Sequence, residues 1–123
     1  MTARYPGLPS WDDVSHIVTG ADWDVTDSAT YLLCKTEPNT VHLRARLRVG
    51  SVVTIGTLPA EIRPSRPVEE PAFSRGIRAA CEVSIWGNGA LVLPLSSFPA
   101  GTTIEQLRGT YYSFSISYPR RQA

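Results

Sequence analysis

The sequence predicts an all-β fold: an antiparallel, jelly-roll-like β-sandwich of about seven to eight strands behind an N-terminal extended arm. Three observations carry this. Ten prolines and nine glycines among 123 residues divide the chain into short pieces joined by turns. Residues 40–49 and 110–118 alternate apolar and polar side chains with the period of a half-buried strand. Between two apolar runs stands "GNG" at 87–89, residue types that readily take positive φ in a tight hairpin turn.

Taken in order, residues 1–20 differ from the rest. Pro6, Gly7, Pro9 and Gly20 frame a short apolar patch, Val14, Ile17 and Val18, spaced for one or two helical turns, with Ser10 as N-cap and Asp12 and Asp13 in the first turn. This stretch reads as an arm and residues 21–123 as the sandwich domain. Residues 31–35 and 40–49, separated by "TEPN", form a first hairpin around Pro38-Asn39. "SVVTIG" then supplies a strand that ends at Leu58-Pro59, since proline cannot donate to a central ladder. Leu58 is expected to plug the end of the sandwich, and Pro59, Pro64 and Pro67 to stiffen an extended crossover between sheets. Residues 77–86 and 90–95 flank "GNG" as a second hairpin. In the last strand Tyr112, Phe114, Ile116 and Tyr118 share one face, and Tyr111, Ser113, Ser115 and Ser117 the other. "PRRQA" reads as a solvated tail.

Composition bounds the function. A chain of this length makes one domain. With 42% hydrophobic residues, 19% charged residues and a formal charge of +1 it is an ordinary globular chain, and its charge points to no nucleic-acid partner. No apolar run suits a signal peptide or a membrane span, so synthesis in the cytoplasm without membrane insertion is expected. Cys34 and Cys81 lie in separate apolar segments without metal-ligand spacing and read as buried thiols, a disulfide being the alternative. Asp22, Asp24 and Asp27 lack the spacing and glycine of a calcium loop and read as turn and cap residues. Ser15-His16 near Asp12 is adjacency without the spatial roles of a triad, and no catalytic, metal or cofactor site is expected.

Contact residues stand out more clearly. Strand alternation puts His42, Arg44, Arg46 and Arg48 on one face, either plainly solvated or an interface, because guanidinium forks pair with carboxylates and stack on aromatic rings. The acidic residues Asp12, Asp13, Asp22, Asp24 and Asp27 of a neighbouring subunit, or an anionic wall polymer, are candidate partners for that row. Trp11 and Ile17 are candidate anchors of the arm in a neighbour's groove. Trp86, Tyr111 and Tyr112 are the candidate stacking platforms for a glycan; packing is the alternative for each.

The ordered series "NTVHLRARLRV", "TIGTLPAEIRPSRPV", "EVSIWGNGALVL" and "YYSFSISYP" resembles a β-sandwich module recurrent in tailed-bacteriophage virion proteins. Trp23 falls on that module's tryptophan-containing N-terminal strand, and residues 39–45 on its strand of NTVHLRA form. Residues 58–64 match its leucine-proline-x-x-x-arginine-proline linker, which a further strand follows, and 85–92 its hairpin around Asn-Gly. The resemblance covers roughly residues 20–118 and departs in the linker, where Glu61 and Ile62 replace a glycine and an aromatic. It implies a non-enzymatic virion protein of tail fibres, tail tips or receptor-binding heads, without cofactor and frequently trimeric. The expectation is a tail-associated subunit in the virion, a homotrimer beside other virion subunits. The alternatives are a capsid decoration protein anchored by its arm, or a module that binds a host-surface glycan or wall polymer.

Overall fold

The alternation read in the two long strands is realised in the computed structural model, which describes residues 11–121. The strands are β1 (Asp12–Asp13), β2 (Tyr31–Thr36), β3 (Thr40–Arg48), β4 (Thr54–Thr57), β5 (Val68–Ser74), β6 (Ala79–Ile85), β7 (Ala90–Val92) and β8 (Tyr111–Pro119). A single helical turn, α1 (Ile104–Leu107), precedes β8, held by a capping box between Thr103 and Gln106. Every pairing is antiparallel, in the order β1-β2-β3-β8-β5-β6-β7-β4. Val41, Leu43, Ala45 and Leu47 of β3 and Tyr112, Phe114, Ile116 and Tyr118 of β8 are all buried, and with Cys81, Val83 and Ile85 of β6 they form the core. The all-β antiparallel class holds; the layers, however, are halves of one curled eight-stranded sheet.

A proline explains where that sheet bends. β8 pairs with β3 along its whole length but with β5 only at Ala72–Phe114, Phe73–Ser113 and Ser74–Tyr112. Hydrogen-bonding positions of an antiparallel ladder recur every second residue. Arg75 N–H donates to the Tyr111 carbonyl at 2.9 Å, so positions 73 and then 71 face β8 next. Position 71 is proline and has no N–H to give. From there β5 and β8 diverge, and the space between the halves receives the 3-10 turn Ala60–Ile62, whose Ile62 carbonyl accepts the Tyr118 hydroxyl at 2.6 Å. β5 is the further strand that the resemblance implied; its "VEEPAFS" has no alternation to announce it.

The opposite edges are closed by the segment expected to be an arm. Its first ten residues, Ser10 included, lie outside the described residues. From Trp11 the expectation fails: Asp12 and Asp13 pair with Cys34 and Leu33 of β2 instead of starting a helix, and Asp13 accepts the Ser15 N–H at 2.9 Å to turn the chain. A 3-10 turn, Ser15–Ile17, buries Ile17 in the chain's own core. Thr19 and Gly20 then donate to the Ile55 carbonyl of β4 at 3.1 and 2.9 Å. One segment thus pairs with both ends of the sheet and staples it shut. The approach is close enough to require glycine: a Cβ on Gly56 would lie deep inside the Ile17 carbonyl oxygen and 2.9 Å from its carbon.

The heavily punctuated crossover buries Leu58 as expected, but it is not the extended link between two sheets that was expected: Ala60–Ile62 form a 3-10 turn and the sheet is one. Leu58 is fully buried, its N–H bound to the Gly89 carbonyl at 2.8 Å and its carbonyl to Arg63 Nε at 2.8 Å. Gly89 turns the "GNG" hairpin at φ 89°. Trp23 lies outside any strand, buried, its indole N–H donating to the Val52 carbonyl at 2.7 Å.

Candidate functional site

On the outer face of β2, β3, β8 and β5 the registers bring one row of side chains into line: Tyr31, Arg46, Ser113 and Phe73. The next row is Leu33, Arg44 and Ser115. Serine is short where its neighbours are long, so the β8 positions form the floor of a trough running along the strands. Tyr31 stands on one side, and Phe73 and Pro71 on the other. Neighbouring strands lie roughly 4.8 Å apart, so the walls rise from backbones roughly 14 Å apart along the sheet. Where β5 and β8 diverge, the trough deepens into a hollow of about 360 Å³ among Tyr31, Arg44, Pro71, Phe73 and Ser115. A second hollow of about 230 Å³ adjoins it, between Tyr31, Arg46, Phe73, Arg75 and Ser113.

The cations along this face have different fates. Arg48 is committed: its guanidinium donates to Asp27 Oδ2 at 2.7 Å, the Gly109 carbonyl at 3.0 Å and the Tyr111 hydroxyl at 2.9 Å. Its hydrogen bond holds the Asp27 carboxyl below, and the Arg48 guanidinium above, their ordinary values. The Arg46 and Arg48 guanidinium groups lie 4.7 and 4.6 Å from the Tyr111 ring centre, and Tyr111 follows Ser113 on the outer side of β8, opposite Arg48. Arg44 has no hydrogen-bond or ion-pair partner among the described residues, and Arg46 only the ring; Arg44 lines the first hollow and Arg46 the second. No carboxylate lines either hollow.

The other candidates separate accordingly. Tyr112 is corrected: it is fully buried, its ring edge-on to Trp23 and Phe114 and its hydroxyl given to the Glu82 carbonyl, so no ligand reaches it. Burial pushes its phenol far above the ordinary value. Ile17 is core, not an anchor for a neighbour. Trp11 is half-buried on its own sheet, its ring 6.4 Å from His42 and 5.7 Å from the Lys35 ammonium. His42 in turn bridges Glu37 and Ser117. Trp86 is 55% exposed at the β6–β7 turn and does not line the trough. Of the acidic residues offered to a neighbour, four are used at home: Asp13 holds Ser15, Asp22 pairs with Arg108 at 2.8 Å, Asp24 caps Thr26 and Asp27 holds Arg48, while the Asp12 carboxylate is exposed. Ser15 gives its hydroxyl to Asp13, not to His16. Among the described residues no group of three or more metal-ligating side chains gathers, and no helix is long and apolar enough to cross a membrane.

Tyr31, Phe73 and Arg75 were missed from sequence. Tyr31 begins an alternating strand and could have been found on the outward side; Phe73 is hidden in an acidic, proline-broken stretch.

The architecture has a counterpart. The fold is one shared with a phage head domain. The crystal structure of the head domain of phage bIL170, solved in asking whether the receptor binding domains of lactococcal phages have a common fold, matches with a TM-score of 0.55. The match covers 93% of this chain and 100% of that one at 17% identity, a likeness of fold. No family model and no curated protein matches the sequence.

Proposed function

We propose that this chain is a non-enzymatic receptor-binding module of a tailed-phage virion, tail-associated, and that the outer face of β2, β3, β8 and β5 contacts a saccharide on the host surface. The observation that carries the reading is the trough itself: an open groove with two aromatic walls, a hydroxyl floor and guanidinium donors without partners. Aromatic faces stack on sugar rings while hydroxyls and arginine fix orientation, and little of this arrangement serves stability. The likeness to a lactococcal phage head domain supports a setting among other virion subunits. A decoration role through the N-terminal segment is less favoured, because residues 11–20 are spent on closing their own sheet. The homotrimer implied by the resemblance belongs to the proposal and is tested by light scattering of the purified chain.

The test of the site is retention on an array of bacterial surface polysaccharides by the wild-type chain and by a Tyr31→Ala/Phe73→Ala variant with an unchanged circular dichroism spectrum. The wild type is expected to be retained on a subset and the variant to lose it. Equal retention by the folded variant, or none by the wild type, overturns the reading.

A further inference from the structure

The trough is asymmetric along its length, and the asymmetry bears on what kind of saccharide it accepts. At the divergence of β5 and β8 the hollow is bounded by Pro71, Phe73, Tyr31 and the strand backbones at Ala45, Ala72 and Phe114, with Arg44 at its rim. At the Tyr111 end the second hollow is lined by Arg46 of β3, opposite Ser113, and by Arg75 just past β5, whose N–H donates to the Tyr111 carbonyl one step along β8. Tyr31, Phe73 and Ser113 belong to both hollows, so the two are stations of one groove. Arg46 and Arg75 make no ion pair among the described residues, although Arg48, one step along the same strand, has Asp27. Two arginines lining one hollow without a counter-ion make it a site of positive potential that an anion would relieve.

Resting on the saccharide reading above, we propose that the groove takes an extended saccharide of at least two units. An apolar ring face lies at the Tyr31–Phe73 station, and a negatively charged substituent, phosphate or carboxylate, lies between Arg46 and Arg75. Arg44 steers the charged chain at the open rim.

The test is amide shift perturbation of the ¹⁵N-labelled protein with matched probes: maltose against maltose 1-phosphate, and tetragalacturonate against its methyl ester. Inorganic phosphate is titrated alone. The expected result is that the charged member of at least one pair shifts the amides of residues 44–46, 73–75 and 113–115 at a concentration about tenfold lower than its neutral partner, as charge complementarity across a part-exposed site gives. Arg46→Gln/Arg75→Gln removes that advantage, and raising the salt weakens it. Which pair responds distinguishes phosphate from carboxylate. Equal shifts by charged and neutral members, an advantage that survives the double variant, or shifts by phosphate alone equal to those of its sugar overturn the charge assignment and leave the saccharide reading standing. Silence of these amides with every probe overturns it as well, and the array with Tyr31→Ala/Phe73→Ala then decides separately whether the saccharide reading falls too.

Discussion

Replacing Gly56 by alanine tests whether residues 11–20 are a staple of this domain or an arm for another. Gly56 has no positive φ, so on backbone grounds alone alanine would stabilise the fold by about 0.5–1 kcal/mol through a less free unfolded chain. The contact reverses the sign. A methyl there overlaps the Ile17 carbonyl oxygen and comes to 2.9 Å from the carbonyl carbon, both backbone atoms that no rotamer change can move. If the segment yields without detaching, overpacking costs about 1–3 kcal/mol. If it detaches, the Thr19 and Gly20 hydrogen bonds to Ile55 are lost at about 1 kcal/mol each, together with about 2 kcal/mol from the burial of Ile17. Set against the backbone gain, a net destabilisation of about 1–3 kcal/mol follows, or a fall in Tm of about 4–12 °C for a domain of this size. Urea unfolding followed by tryptophan fluorescence measures it. Gly87→Ala, whose methyl meets nothing within 4 Å, is the control and should be neutral or slightly stabilising. A Gly56→Ala protein as stable as wild type, with a change only in association, would refute the staple and return the segment to a partner.

Tyr112→Phe should lower stability by about 1–2 kcal/mol, by stranding the Glu82 carbonyl, and leave glycan retention intact; lost retention at unchanged stability would make Tyr112 a ligand group after all. Cys34 and Cys81, free and buried, have thiols pushed up to about 11 by desolvation, so about one in a thousand is thiolate at pH 8. Ellman's reagent should label both rapidly in urea and only slowly in the native state; fast native labelling would contradict their burial. Asp13, Asp24, Asp27 and Glu37 have carboxyls held below their ordinary values, chiefly by side-chain hydrogen bonds from Ser15, Thr26, Arg48 and His42 respectively. Their contribution is present above the unfolded-state pKa near 4 and is lost as pH falls through the lower folded values, because the unfolded chain takes up protons first. The urea midpoint should therefore hold from pH 7 to 5 and drop below about pH 4, with a shallower drop in Asp13→Asn/Asp27→Asn; a flat midpoint down to pH 3 would refute the assignment.

The face of each long strand was legible because burial selects one parity of a period-two pattern. Val41 to Leu47 and Tyr112 to Tyr118 could point only inward, and Arg44 to Arg48 only outward. Turn chemistry was legible for the same local reason: Gly89 supplies a positive φ, and Leu58 is buried beside the proline that ends its strand. What a local pattern could not carry is which strands become neighbours. Tyr31, Arg46, Phe73, Arg75 and Ser113 are scattered along the chain from position 31 to position 113, and register alone makes them one groove. Tyr112 shows the converse: the alternation gives its side of the strand, but only the core packed around it excludes a ligand. The composition and alternation of the chain determined an antiparallel β-domain with a basic outer row. Only the tertiary structure decided that Pro71 opens the sheet beside that row and that residues 11–20 close its far edges, since both depend on backbone hydrogen bonds between segments distant in the chain.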